Sequence, residues 1–418
     1  MEVTRQVEQG LENDSPEKPR IAFLYATFPQ PTETFVRREL RSMLDTGASL
    51  HPFSIWGGGG DFHGRKVNRF RLRELWSLLW LLPLWLCRKP SAFVDVLVAL
   101  WSRGIPSVQN CQETFLGFGF GIVRAECFRR QGFTRCHAVW STMPATAALV
   151  IRKLVGIEFS VGAHAYDVFR DGGDCLLDLK LSEAVLVRTS SEATRVRLLE
   201  LGSADHKTFL IRRGLRNFPA KREGALSDVL SILSVGRLVP KKGYFHQLAI
   251  YRALLDHGIS FRATIVGGGP MQGELEREKE RLGLREVVFF RGAMPRPEVA
   301  RLQNEADLFF FTGISDPKGD RDGLPNVVPE AMAAGAIVLT SPTGGVTEAI
   351  SDGRTGYVLS ARESEHWVNR VTYLQDHPKA VVAVQRAARA WTEDEFDVRR
   401  TASRLLTAFG VQPGEETT

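Results

Sequence analysis

The sequence predicts an α/β protein made of two Rossmann-like domains, each with a parallel sheet between layers of helices. The chain has 418 residues, which is long for one domain and enough for two. Strand-like apolar segments alternate with helical ones, and this alternation occurs twice, as expected for parallel sheets. Many of the 38 glycines follow the later strand-like segments, where nucleotide-binding folds need tight turns.

Changes in polarity divide the chain into five parts. Residues 1–19 are polar, lack the apolar core of a signal peptide and are expected to form a disordered tail. The first domain is predicted at residues 20–211, and a polar linker follows at 212–228. The second domain is predicted at 229–395. Residues 396–418 contain a last helix, for which a return to the first domain is one option.

Apolar runs bounded by turn residues place the strands and helices. In the first domain, strands are predicted at residues 21–28, 50–56, 139–142, 159–165 and 184–189. Thr32 is expected to cap a helix at 33–44, and a second helix is predicted at 191–201. In the second domain, strands are predicted at residues 230–235, 263–266, 287–290, 308–311 and 337–340, before a last helix at 398–409.

Residues 61–105 interrupt this alternation with a segment that is expected to be helical. Arg65–Arg73 form a basic run, and the almost wholly apolar residues after it include Trp76, Trp80 and Trp85. The apolar run is too short to span a bilayer, and Pro83 interrupts it. A basic segment next to tryptophans is typical of an interfacial membrane anchor. A helical subdomain packed on the core is the other interpretation, and both stay open at this point.

The overall composition narrows the classes of partner. A formal net charge of +6 suits an anionic partner, such as a nucleotide or an acidic membrane surface. No motif of a nucleic-acid-binding domain is present, so nucleic acid is not expected as a partner. Five cysteines without a CxxC pair argue against a disulfide framework or a zinc site and favour a reducing, cytoplasmic compartment.

Two motifs at strand ends are candidates for binding phosphate. Arg237 and Lys242 follow the strand at 230–235, and they combine a guanidinium fork with a mobile point charge. Three glycines centred on Gly268 follow the strand at 263–266 and let the backbone approach a ligand closely. Solvated cations and plain turns would explain these two motifs as well.

A third motif, residues 322–330, is the most specific. Asp322 and Glu330 frame a glycine turn and a helix start, at which Asn326 is the expected N-cap. The exposed amides of such a helix start suit a phosphate or a sugar hydroxyl, and carboxylates accept strong hydrogen bonds from hydroxyls. A capped, solvated helix would explain Glu330 but not the whole string.

The order of these motifs resembles the C-terminal domain of glycosyltransferase family 4. The chain reads GRLVPKKG, IVGGGP, VVFFRG, DGLPNVVPEAMAAG and DGRTG between residues 236 and 356. In the first half, PTETFVRRE (31–39) and GAHAYDVF (162–169) are similar to the colanic-acid and exopolysaccharide branch of that family. The resemblance implies a GT-B fold, with two facing Rossmann-like domains that bind the acceptor and the donor.

The resemblance also implies residue roles. Arg237 and Lys242 would bind the donor diphosphate and stabilise the leaving group. Asp322 would lie near the donor sugar, where the family usually has the longer glutamate, and Glu330 would hold the ribose hydroxyls. His164 would contact the donor sugar, and a buried core histidine is the alternative. The implied catalytic residues are His164, Arg237, Lys242 and Asp322. The implied donor-binding residues are Arg237, Lys242, Gly268, Asp322, Gly323, Leu324, Asn326 and Glu330. The acceptor-side candidates are Thr34 and Asp167.

The activity that the resemblance implies is sugar transfer from a nucleoside-diphosphate sugar to a saccharide or lipid-linked acceptor, with retention at the anomeric carbon, in polysaccharide biosynthesis. No enzymic nucleophile and no carboxylate cluster for a divalent ion is evident, so neither a cofactor nor a metal is expected. The expected location is the cytoplasm, with the cytoplasmic membrane face as an option. The alternatives are an epimerase of similar fold, an inactive donor-binding protein and a nicotinamide dehydrogenase, the last disfavoured by the missing GxGxxG.

Overall fold

The chain folds into two compact units, Met1–Gly214 with Val398–Thr418, and Leu215–Asp397. The computed structural model describes residues 19–30, 33–103, 107–164, 166–169, 173–216, 218–316 and 322–411. Most of the expected N-terminal tail and the expected helix cap Thr32 lie outside these residues.

The first unit is built on an eight-stranded sheet. Its strands are β1 (Ile21–Tyr25), β2 (Leu50–Ser54), β3 (Gly60–Phe62), β4 (Arg65–Arg69), β5 (Arg135–Ala138), β6 (Glu158–Gly162), β7 (Leu186–Thr189) and β8 (Thr208–Leu210). Their order is β3-β4-β2-β1-β5-β6-β7-β8, and every neighbouring pair is parallel except β3 and β4. Successive residues of β1 alternate between two apolar clusters, so both faces of the sheet are covered.

Helices cover this sheet, and several of them lie between β4 and β5. The helices are α1 (Thr34–Asp45), α2 (Leu78–Arg88), α3 (Pro90–Arg103), α4 (Val108–Arg130), α5 (Met143–Val155), α6 (Tyr166–Phe169), α7 (Leu177–Glu183) and α8 (Glu192–Glu200), and a 3-10 helix spans Leu72–Ser77. The long helix α4 packs along α5, which places the insert between β4 and β5 beside the main core.

The second unit is a six-stranded parallel sheet with helices between its strands. The strands are β9 (Leu230–Val235), β10 (Phe261–Val266), β11 (Val288–Phe290), β12 (Leu308–Phe311), β13 (Ile337–Thr340) and β14 (Tyr357–Val358). The helices are α9 (Tyr244–Asp256), α10 (Gln272–Arg281), α11 (Arg296–Glu305), α12 (Val327–Ala334), α13 (Ser364–Asp376) and α14 (Pro378–Glu395). The order β11-β10-β9-β12-β13-β14 reverses direction between β9 and β12, and parallel sheets bind ligands at such a switch point.

The last helix, α15 (Val398–Ala408), belongs to the first unit and packs against α1. Leu405 and Leu406 are fully buried there, and Phe409 lies edge-on to Phe23 of β1 with 5.9 Å between ring centroids. The first unit is therefore made from two separate pieces of chain.

Two predictions differ from the structure, and a third, the linker, agrees with it in being irregular. The strand expected at 139–142 lies at Arg135–Ala138, because Thr142 and Pro144 already begin helix α5. Within 61–105, which was expected to be helical, residues 65–69 form strand β4, whose Val67 side chain points into the core. The described residues of the expected linker at 212–228 form neither helix nor strand, and Arg222 donates hydrogen bonds to the carbonyls of Asn304 and Ala306.

Candidate active site

Close backbone contacts fix the loops at the switch point of the second unit. A Cβ atom at Gly267 would lie 2.0 Å from the carbonyl oxygen of Gly236, and one at Gly344 would lie 1.7 Å from the carbonyl oxygen of Asp322. Both glycines also have a positive φ, which L side chains rarely adopt. These glycines therefore let the loops after β9 and β10 approach each other, and likewise the loops after β12 and β13, at the position of the switch point.

Two lysines and one carboxylate meet at this position. The Nζ atom of Lys242 lies 2.7 Å from Oδ2 of Asp322, and the Nζ atom of Lys241 lies 3.4 Å from Oδ1 of the same carboxylate. Lys242 also lies over the ring of Phe311, 4.9 Å from its centroid. Sequence reasoning identified Lys242 and Asp322 separately, and it included Lys241, which is 5% exposed, in the GRLVPKKG motif without giving it a role.

The charges at this cluster are stable at neutral pH. Burial on its own would raise the pKa of Asp322, but the ammonium groups of Lys242 and Lys241 outweigh it and hold that pKa below its usual value. The cluster therefore carries one negative and two positive charges. An excess of positive charge beside a helix start and open backbone is suited to a phosphate group.

Arg237 and Gly268 lie on adjacent loops of the same edge. The N–H of Leu238, the residue after Arg237, donates a 3.0 Å hydrogen bond to the carbonyl of Gly268. The Arg237 side chain is exposed. A Cβ atom at Gly268 would meet no atom within 4 Å, so this part of the loop has an open side.

The 322–330 motif begins a helix as predicted, but Asn326 does not cap it with its side chain. Asn326 occupies the N-cap position of α12, but its side chain makes no capping hydrogen bond. The side chain of Leu324 is buried in an apolar cluster beside buried Gly323, so these two residues shape the turn. Glu330 lies in the first turn of α12 with Oε1 3.8 Å from a guanidinium nitrogen of Arg296, a neighbour that sequence reasoning did not identify.

In the first unit, His164 follows β6 and is 3% exposed. Its ring meets Trp140 edge-on, with 5.3 Å between centroids, and neither ring nitrogen makes a hydrogen bond of normal geometry. Burial lowers the pKa of His164 well below its usual value, and the guanidinium groups of Arg213 and Arg188 lower it further. His164 is thus a buried, neutral imidazole, a state that fits both a sugar contact and a core histidine.

Asp167, an acceptor-side candidate, connects two loops of the first unit. Its Oδ1 accepts a 3.0 Å hydrogen bond from the backbone N–H of His164, and its Oδ2 accepts bonds from the N–H and hydroxyl of Ser141. The carboxylate therefore holds the loop after β5 against the loop after β6. Thr34, the other acceptor-side candidate, is the half-buried first residue of α1.

Two buried arginines, Arg188 and Arg213, lie in the same unit as His164. Arg188 makes a bidentate contact to Glu39, at 2.8 and 3.1 Å, and Arg213 stacks between the rings of Phe35 and Trp140 at 4.5 and 4.8 Å. Burial lowers the pKa of Arg213 to about 10, with Arg188 as the next cause, so the side chain stays charged. Glu39 lies in the quoted 31–39 motif, but no sequence signal marked either arginine.

Related proteins agree with this arrangement of motifs. A family model described as "Glycosyl transferases group 1" matches residues 219–391, the segment that holds the lysine–carboxylate cluster. The amylovoran biosynthesis glycosyltransferase AmsK of Erwinia amylovora is 32% identical over 404 residues, which cover 90% of this chain and 96% of AmsK. WcaL of Salmonella typhimurium, which is named for colanic acid biosynthesis, is 28% identical over 93% of this chain and 99% of its own.

The two sheets also match solved structures. The crystal structure of HepE from Anabaena in complex with UDP has a TM-score of 0.65 to this chain, with 18% identity, and the match covers 94% of this chain and 99% of HepE. At this identity the likeness shows the fold, two Rossmann-like units of the GT-B type. From the family match and the similarity to AmsK along nearly its whole length, the chain belongs to the group 1 glycosyl transferases and is a glycosyltransferase of GT-B fold.

Proposed function

We propose that the protein transfers a sugar from a nucleoside-diphosphate sugar to a saccharide or lipid-linked acceptor, with retention at the anomeric carbon. The observation that carries this proposal is the convergence of Lys241, Lys242 and Asp322 at the switch point of the second unit. The names of AmsK and WcaL favour exopolysaccharide biosynthesis as the setting. The odd number of cysteines and the absence of a CxxC motif in the sequence favour the cytoplasm as the location of the protein.

The donor diphosphate is proposed to bind between the lysine pair and exposed Arg237. Two ammonium groups and one guanidinium provide charge-assisted hydrogen bonds to phosphate oxygens, and Asp322 keeps the ammonium groups oriented. As the bond between the sugar and the diphosphate breaks, negative charge grows on the diphosphate, and the fixed cations stabilise this charge. On this account the chain's own residues supply the charge, so transfer does not need a metal ion.

The nucleoside end is proposed to lie along α12 and the loop after β10. Glu330, in the first turn of α12, would accept hydrogen bonds from the ribose hydroxyls, and Arg296 would keep its carboxylate oriented. The open side of Gly268 leaves room for the nucleotide next to the backbone. These two contacts fix where the diphosphate lies relative to the lysines.

The transfer is proposed as a displacement on one face of the sugar. The acceptor hydroxyl oxygen forms a bond to the anomeric carbon as the bond from that carbon to the diphosphate oxygen breaks. The hydroxyl proton passes to the leaving diphosphate, so no enzymic base is needed. His164 is proposed as a contact to the donor sugar, and as a neutral imidazole it donates or accepts a hydrogen bond without adding charge.

Transfer assays with purified protein test this proposal. Sugar nucleotides with different bases are incubated with an oligosaccharide acceptor, and the configuration of the product is read by NMR. Arg237→Ala and Lys242→Ala should each lower turnover by at least about tenfold, since each removes a charge aimed at the leaving group. Arg285→Ala, which removes an exposed arginine of the same unit, is the control and should leave turnover unchanged. Near-normal rates in both site variants contradict the phosphate assignment.

The same assay tests the roles of metal and stereochemistry. Activity is expected to persist in EDTA, and the new glycosidic bond is expected to keep the anomeric configuration of the donor. Activity that disappears in EDTA and returns with magnesium or manganese would contradict the proposed source of charge. An inverted product would contradict the one-face displacement.

A further inference from the structure

The helical insert between β4 and β5 exposes an unusual amount of apolar surface. Twelve of the eighteen large apolar side chains that are exposed in the described part of the chain lie between Leu72 and Phe115. A soluble protein seldom leaves so many large apolar side chains together in water without a partner. Ten of these twelve lie on the 3-10 helix at 72–77 and on helices α2 and α3, and the surface they form is called the insert surface below.

Helix α2 and the tryptophan of the 3-10 helix before it present apolar side chains both to the core and to solvent. On the inner side Trp85 is 6% exposed and packs in the main core of the first unit, with Leu81 and Leu82 against it. On the outer side Trp76 is 71% exposed and Trp80 is 62% exposed. The inner side therefore fixes the helix to the protein, and the outer side is left without a covering layer.

Helix α3, which packs against α2, repeats this arrangement. Its inner residues Phe93 and Val96 are buried. Its outer apolar residues are exposed and follow the i, i+3, i+4, i+7 spacing of a single helical face: Val94, Leu97, Val98 and Trp101. Trp101 is 93% exposed, so almost its whole indole ring faces solvent.

Between the 3-10 helix and α2 the insert surface contains an apolar groove of about 540 Å³. Its lining residues are Leu72, Leu75, Trp76, Leu78, Leu79, Leu82 and Pro83. None of these side chains carries a charge. The groove therefore suits a hydrocarbon chain better than a polar ligand.

Basic side chains lie before and after the apolar residues of the 3-10 helix and α2 in the chain. Residues 65–101 contain seven arginines and lysines but two acidic residues, Glu74 and Asp95. Both acids are already paired, Glu74 with Arg124 at 2.5 Å and Asp95 with Lys153 at 2.7 Å. The exposed basic residues are Lys66, Arg69, Arg71, Arg73, Arg88 and Lys89. An apolar face with a cationic margin is complementary to anionic headgroups above an acyl layer.

We propose that the insert surface inserts into one leaflet of an anionic bilayer and holds the protein reversibly at the membrane. In the described residues no helix is both long and apolar enough to cross a membrane. Tryptophan favours the boundary between headgroups and acyl chains, where the ring is in an apolar layer and its N–H reaches water. This inference goes beyond the proposed function, since it does not depend on the donor or on a lipid-linked acceptor.

Vesicle flotation with the full-length protein tests this proposal. Vesicles of phosphatidylcholine with phosphatidylglycerol should carry the protein to the top of the gradient, and pure phosphatidylcholine vesicles should carry much less. Trp76→Ser combined with Trp80→Ser and Trp101→Ser should lower the partition coefficient by at least about tenfold without lowering the melting temperature. Raising the salt concentration should weaken binding, because mobile ions screen surface charge.

Two control variants separate insertion from misfolding. Phe209→Ser removes an exposed aromatic from the opposite edge strand β8 and should leave flotation unchanged. Trp85→Ser removes a buried tryptophan and should lower the melting temperature. The proposal would be overturned if the wild-type protein stays at the bottom of the gradient with anionic vesicles. It would also be overturned if the wild type does not float but forms a dimer in sedimentation velocity, and the triple variant is a monomer, since the insert surface would then bind a second copy of the chain.

Discussion

At the scale of single residues, the first unit keeps two histidines buried and neutral. Burial lowers the pKa of His164 and of His137 well below the usual 6.5. In the unfolded chain both side chains bind a proton below pH 6.5, whereas in the folded protein they do not. The contribution of these two neutral histidines to the stability of the first unit is therefore complete above pH 6.5 and is lost progressively as the pH falls below that value.

This difference predicts the pH dependence of unfolding. At pH 5.5 each histidine should remove roughly 1.4 kcal/mol from the free energy of unfolding, compared with its value at neutral pH. His164→Gln should remove one of these contributions, as measured by urea denaturation at pH 7.5 and 5.5. His206→Gln, which changes an exposed histidine of the same unit, is the control. An identical loss of stability in wild type and His164→Gln would mean that His164 is protonated in the folded protein.

The lysine–carboxylate cluster gives a second prediction at this scale. Asp322 competes with an incoming phosphate for Lys242 and Lys241. Asp322→Asn should therefore bind a bare nucleoside diphosphate about threefold to tenfold more tightly, because a nearby negative charge is removed. Its transfer rate should fall at the same time, since the ammonium groups lose their orientation. Unchanged affinity in calorimetry would show that Asp322 acts on the sugar alone, as the family resemblance implies.

Sequence reasoning identified residues whose type and local context carried a signal. Lys242 and Asp322 follow strands in motifs that suit phosphate and hydroxyl groups, so they could be predicted. Their pairing with each other, and the part of Lys241, depend on loops that are distant in sequence. Arg213 could not be predicted, because its surroundings come from α1 and the loop after β5.

At the scale of elements, two adjacent glycines in the loop after β10 are expected to have different roles, one in folding and one in donor binding. Gly268 has open space around it, so Gly268→Ala should keep the melting temperature and weaken donor binding if the nucleotide lies there. Gly267→Ala should lower the melting temperature, because its Cβ would collide with the Gly236 carbonyl. Gly273→Ala, with equal space in α10, is the control for donor binding. Normal donor affinity in Gly268→Ala would place the nucleotide elsewhere.

Strand positions were predictable where burial is uninterrupted. The strands β9, β12 and β13 lie at the predicted residues, because each is a short apolar run that ends at a polar or glycine-rich turn. Strand β5 was misplaced, because Val139 and Trp140 have high β-propensity but precede a helix start at Thr142. Local propensity could not show that the strand is already complete at Ala138.

At the scale of the whole molecule, the first unit depends on the end of the chain. The side chain of Leu405 in α15 is fully buried beside the sheet. Leu405→Ala should therefore lower the free energy of unfolding by roughly 2–5 kcal/mol, the usual cost of truncating a buried leucine. Arg404→Ala, on the exposed side of the same helix, is the control in the same denaturation experiment. Equal stability of the two variants would mean that α15 contributes little to the first unit.

The central claim is that the second unit holds a nucleoside-diphosphate sugar with Glu330 on its ribose. Isothermal titration calorimetry with UDP, GDP and ADP and their sugars, and with NAD as comparison, tests it most directly. We predict that at least one nucleoside diphosphate binds, and that Glu330→Gln weakens this binding by roughly 1–3 kcal/mol. The exposed Glu286→Gln should bind like wild type. Binding of NAD in place of every nucleoside diphosphate, or unchanged affinity in Glu330→Gln, would contradict the account.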